Sequence, residues 1–175
     1  MPLATRAELL NRCISQGLEK IATTTETPWD AAYIQMQHDR LRRLLEPWLE
    51  LELRRSPFAV KLSEERLDNA QIGPLRLRVR VDRVDQVEGG EVLIDYKTGA
   101  YSPSAWLSER PDEPQLPLYA ALSNPEQLQG VAFGLVRAGE HLDLTGYEAA
   151  DGVLPHAVKM KEASSLDAQV DEWRR

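Results

Sequence analysis

Cysteine is nearly absent from this sequence: Cys13 is the only one. One thiol can form neither an internal disulfide nor a cysteine-rich metal site, which fits a reducing, cytoplasmic compartment. Long apolar runs are missing as well. None approaches the roughly 20 residues that a membrane-crossing helix needs, and the N-terminus has no uninterrupted hydrophobic stretch of the kind that marks a secretory signal. There is no internal repeat or low-complexity tract. Positive charge is in deficit, with 21 Lys and Arg against 28 Asp and Glu and a net charge of −7. That excludes a polycation that coats nucleic acid nonspecifically. It leaves room for an enzyme acting on nucleic acid, because metal-binding carboxylates add negative charge and basic residues can cluster locally.

What is present is enough for one domain with a real core, at 175 residues and 42% hydrophobic. Residues 5–22 place Leu9/Leu10, Cys13/Ile14, Leu18 and Ile21 about four apart, the period of an amphipathic helix. After a linker at 23–30, in which Thr27-Pro28 is expected to open the next element, residues 29–53 read as a second helix. Pro47 should kink that helix or start a new one. From Phe58 the period changes to two. "FAVKLSEE", "LRLRVRVD" and "EVLIDYK" are strands, and "VEGGE" supplies a tight turn, so 58–98 reads as an antiparallel meander. A long loop over 101–114, with a helical turn near Trp106, leads to a short helix at 115–123. Two strands follow, "GVAFGLVR" and "HLDLTGYE", hinged at "AGE", and then an amphipathic helix in "SSLDAQVDEWRR". Helices flanking strands in this order imply an α/β sandwich. A last helix that stops at its third turn suggests a piece of a longer protein.

Chemistry concentrates at the end of one strand. In "EVLIDYKTGA", Asp95 and Lys97 are two apart and so share a face. Asp82 continues the even face of "LRLRVRVD", whose positions 76, 78 and 80 are arginines, and Val84 then breaks the alternation. The break implies a bulge or bend near 82–84, a device that aims side chains at sites. The hairpin sets this strand beside 91–97, so Asp82 and Asp95 can approach each other. Two adjacent carboxylates repel. A bound Mg²⁺ relieves the repulsion, since it takes one or two carboxylates plus water and substrate phosphates. Such an ion activates water and stabilises charge on a phosphate. Lys97 could orient or deprotonate that water, or neutralise the developing charge. These parts suit phosphodiester hydrolysis. Asp85 falls past the break and reads as structural, paired with an arginine, and Trp106 reads as a packing residue. Arg76, Arg78 and Arg80 have two open readings: a DNA-facing row, or partners of acids across the meander.

"VDRVD", "IDYKTG" and "RPDEPQLPLYA", in that order, resemble the PD-(D/E)xK nuclease superfamily, and within it the RecB/AddB-type exonuclease domain of bacterial recombination helicase–nucleases. The resemblance runs from about Phe58 to Tyr147. It implies an α/β restriction-endonuclease-like core, with a mixed sheet that includes an antiparallel meander and is flanked by helices. It also implies a Mg²⁺- or Mn²⁺-dependent deoxyribonuclease that works on DNA beside a helicase module, in its own chain or a partner's. Residue by residue, Asp82 and Asp95 match the metal-binding aspartates, with the Tyr96 backbone carbonyl as a further ligand, and Lys97 matches the catalytic lysine. Gln115 and Tyr119 match the Q-x-x-x-Y motif that supports the lysine and the DNA backbone. Glu65 is a further metal-ligand candidate, with Glu64 beside it.

Two departures stand out. None of His38, His141 and His156 sits where related domains carry a metal-binding histidine, and Cys13 alone cannot hold the iron–sulfur cluster of AddB-type domains. Both agree with a single nuclease-like domain over 1–175 truncated at both ends: a helical segment at 1–56, a catalytic core at 57–148 and the start of a C-terminal helix at 149–175. The rival expectation is a nuclease-like module kept for DNA binding or assembly without catalysis.

Overall fold

The computed structural model describes residues 3–72, 74–108, 110–137, 142–159 and 165–175, without the side chains of 3, 4, 65, 67–69, 72 and 125. His141 and the "AGE" hinge lie outside the described residues. The chain forms two compact units, residues 1–53 and 54–175.

The first unit is a helical hairpin. Helix α1 (Leu3–Ala22) buries Leu10, Ile14 and Leu18, one turn apart, against Leu41 and Leu45 of α2 (Ala31–Glu52) and against Trp29. Its stripe ends earlier than the periodicity suggests, for Cys13 and Ile21 are exposed. The side chain of Asp30, not the Thr27-Pro28 pair, opens α2 by accepting the Tyr33 N–H at 2.7 Å. Pro47 stays inside α2 and does not end it. It removes one backbone donor, and the flanking turns carry the helix past it.

The second unit is a six-stranded sheet in the order β1-β2-β3-β4-β5-β6. Strands β1 (Ala59–Ile72), β2 (Leu75–Val87) and β3 (Gly90–Lys97) form the expected meander. Gly89, at φ 80°, takes the left-handed turn that joins β2 to β3. Strand β3 is buried along most of its length, which explains its unbroken apolar run. The chain then crosses over through a 3₁₀ turn (Pro103–Trp106) and α3 (Gln115–Leu122) to lay β4 (Leu128–Leu135) parallel to β3. Strand β5 (Asp143–Glu148) returns antiparallel, the short β6 (His156–Ala157) pairs parallel to it, and α4 (Leu166–Trp173) closes the unit. The fold is mixed α/β with helices flanking a mixed sheet, consistent with a restriction-endonuclease-like core.

One apolar cluster joins sheet and helices: Val79, Val81, Val84 and Leu93 meet Leu116, Tyr119, Ala120, Leu166 and Val170. Trp106 is wholly buried there, 4.3 Å from the Phe133 ring and 5.8 Å from Tyr147, so it packs and does not present a surface for a base. The Trp173 indole donates to the Trp106 carbonyl at 3.0 Å and ties α4 to the crossover.

Candidate active site

Pairing between β2 and β3 ends at Arg83↔Ile94. One residue further along each strand stand Asp82 and Asp95, which are therefore opposite each other where the ladder stops. The Asp82 carboxylate replaces the next ladder bond: its Oδ2 accepts the Tyr96 N–H at 2.9 Å. Alternation along a strand turns the Tyr96 carbonyl to the edge that its N–H faces, the Asp82 side. The bend read from the sequence lies here. Val79 and Val81 enter the same cluster as Val84 although their parities differ, so β2 turns between 81 and 84. The residue that leaves extended geometry is on β1. Glu64, at φ 57°, falls between the pairs Ser63↔Arg83 and Glu65↔Val81, across from Asp82. Its carboxylate holds Arg80.

Lys97 lies at the centre. Its Nζ is 2.9 Å from Asp95 Oδ2 and 3.2 Å from Glu113 Oε2, over the rings of Tyr101 at 5.2 Å and Phe133 at 5.9 Å. Burial opposes the charge of Lys97, but Asp95 and Glu113 outweigh it and raise the lysine pKa. Burial raises the Asp95 pKa. Lys97 offsets part of that rise, and the charges of Asp82 and Glu113 add to it. Asp95 Oδ2 has no other polar partner among the described residues.

Helix α3 brings the second set. Gln115 and Tyr119, one turn apart, are joined by a Gln115 Nε2 to Tyr119 hydroxyl bond of 3.1 Å, and Gln115 reaches the Arg80 carbonyl at 3.3 Å. The Tyr119 pKa is raised by burial, and the charges of Asp82 and Asp95 contribute. So Asp82, Asp95, Lys97, Gln115 and Tyr119 converge. Glu113, Tyr101 and Phe133 join them with no forewarning from the sequence motifs. Glu113 lies in the quoted "RPDEPQ", but nothing local shows that this loop folds back onto β3. The side chain of Glu65 lies outside the described residues.

The neighbouring positions face elsewhere. Asp85 is fully buried between Arg55, at 2.8 Å, and Arg83, at 2.6 Å, both stacked on Phe58. Arg83 also donates to the Tyr96 hydroxyl at 2.8 Å. Tyr96 is thus held at its N–H by Asp82 and at its phenol by this network. Arg76, Arg78 and Arg80 are exposed, on the parity opposite to buried Val79 and Val81.

The donor set fits a hard divalent cation better than zinc. Among the described residues no three His, Cys, Asp or Glu side chains gather as a metal nest. Two carboxylates and a backbone carbonyl are the kind of partial shell that Mg²⁺ completes with water and phosphate oxygens. Asp95 Oδ2 is buried and has only the Lys97 ion pair among the described residues, so this carboxylate keeps capacity for a cation.

A family model, the PD-(D/E)XK nuclease superfamily, matches residues 2–175, so the chain belongs to that superfamily. A search of curated proteins returns no match. Among the described residues no helix is long and apolar enough to cross a membrane.

Proposed function

We propose that this chain is a Mg²⁺- or Mn²⁺-dependent deoxyribonuclease, the exonuclease module of a RecB/AddB-like helicase–nuclease that repairs and recombines DNA in the cytoplasm. The observation that carries the reading is the Asp95 carboxylate, buried, raised in pKa and opposite Asp82. Buried like charges persist where a cation offsets them.

Asp82, Asp95 and the Tyr96 carbonyl would hold the ion, which would supply an activated water and charge neutralisation on the phosphate. The chain's own residues do the rest. Lys97 keeps its proton at neutral pH, because its carboxylate neighbours raise its pKa. In that form it serves as a positive charge and hydrogen-bond donor toward the phosphate oxygens. Its partial burial strengthens that charge relative to one in water. Gln115 and Tyr119 brace the β2 edge next to Asp82 and present polar groups to the DNA backbone.

Incubation with linear and closed circular duplex DNA tests this. Linear DNA should be degraded with Mg²⁺ or Mn²⁺ and circular DNA spared, and both EDTA and Asp95→Ala should abolish cleavage. DNA binding without cleavage under every metal condition would favour a non-catalytic DNA-binding or assembly module.

A further inference from the structure

Glu113 is the second anchor of Lys97, at 3.2 Å against 2.9 Å for Asp95. The lysine is otherwise enclosed, with 17% of its side chain exposed and the rings of Tyr101 and Phe133 beside it. Lys97 thus sits on Asp95, one of the two carboxylates that would hold a cation. An ammonium and a divalent ion on one carboxylate repel each other at close range. If Asp95 turns to a metal, Lys97 needs another carboxylate to lean on. Among the described residues Glu113 is the only other carboxylate within ion-pair distance of it. Glu113 stands two residues before Gln115, so one short segment would carry both the Q-x-x-x-Y pair and this anchor.

We infer that Glu113 is a positioning residue. It takes over Lys97 as Asp95 engages the metal, which eases metal entry and keeps the ammonium beside the reacting phosphate. This rests on the metal-dependent reading above.

The test is Mn²⁺ binding by calorimetry to the wild-type protein, Glu113→Gln, Lys97→Met and the double variant. Glu113→Gln leaves Lys97 with Asp95 alone, so Mn²⁺ should bind on the order of fivefold more weakly, the scale of a partly exposed ion pair. In the Lys97→Met background the same change should cost less than about twofold, since the competitor is gone. Glu113→Asp, which keeps the charge, should restore part of the loss, and kcat for Glu113→Gln should fall with KM for DNA unchanged. An equal loss of Mn²⁺ affinity in both backgrounds would overturn the inference, because Glu113 would then act on the metal directly. No loss in either background would overturn it too. No Mn²⁺ binding by the wild-type protein would overturn the metal reading itself and this inference with it.

Discussion

Asp95 shows most plainly how a single residue can be set against stability. Burial raises its pKa above the ordinary carboxylate value. A group whose folded pKa is raised stabilises the fold below its unfolded pKa, and that contribution is lost as pH rises through the folded pKa. Above its folded pKa the metal-free protein therefore carries the cost of an ionised Asp95. Asp95→Asn should raise the melting temperature in EDTA, with the difference shrinking at acid pH where Asp95 is protonated. Scanning calorimetry over a pH series would show it, and a lower melting temperature would mean that the Lys97 pair outweighs the burial. Lys97 is expected to matter for rate and little for folding. Lys97→Ala should cut kcat by about 10²–10³, the scale of a lost transition-state donor, with an unchanged circular dichroism spectrum. The approach of Asp82, Asp95 and Lys97 was legible because their relation is local, a shared strand parity and a tight hairpin; Gln115 and Tyr119 came from the family resemblance, and only their one-turn spacing is local. Glu113, Tyr101 and Phe133 were not legible, because they reach Lys97 through the path of a long loop and across a parallel strand, and no periodicity encodes either.

Among the elements, the three-stranded meander does the positioning, and its inner anchor is Asp85. One carboxylate faces two arginines, with Arg55 and Asp85 almost wholly buried. Removing the acid strands the two cations in a medium that cannot solvate them, which typically costs 3–5 kcal/mol, so Asp85→Ala should lose about that much stability in urea titration. Because Arg83 also holds the Tyr96 phenol, the damage should reach the site, and activity should fall further than the unfolded fraction accounts for. A loss under about 1 kcal/mol would mean that water already reaches the network. The sequence did carry the arginine pairing of Asp85 and the bend at 82–84, because both follow from a break in parity. It did not carry the left-handed Glu64 opposite that bend, since the strain is stored on the partner strand. Nor did it carry the passage of α2 through Pro47, which tertiary packing of an amphipathic helix can enforce against local preference. The family resemblance implied a mixed sheet but not that β4 would pair parallel to β3, because alternation within each strand is blind to which neighbour it meets.

For the whole molecule, the question is how a protein of net charge −7 grips a polyanion. The overall field opposes approach, so binding must come from local cations and from any metal held at the site. Each phosphate neutralised adds roughly −0.9 to the slope of log K against log salt on duplex DNA. If Arg76, Arg78 and Arg80 formed the DNA track, replacing all three with alanine should flatten that slope by nearly three units. The fold argues otherwise. These arginines sit on the exposed parity of β2, while Val79 and Val81, on the alternate positions, turn to the cluster that holds Tyr119. Arg80 is engaged by Glu64. DNA seated over Asp95, Lys97 and Tyr119 would lie on the other side of the strand. The triple alanine variant should therefore shift the slope by less than about one unit and leave metal-dependent cleavage near the wild-type rate. Fluorescence anisotropy with a labelled duplex across a salt series, in Ca²⁺ to bind without cutting, reads this directly. A flattening near three units would put the DNA on the outer face of the meander and would require the strand to wrap around its edge to reach Lys97.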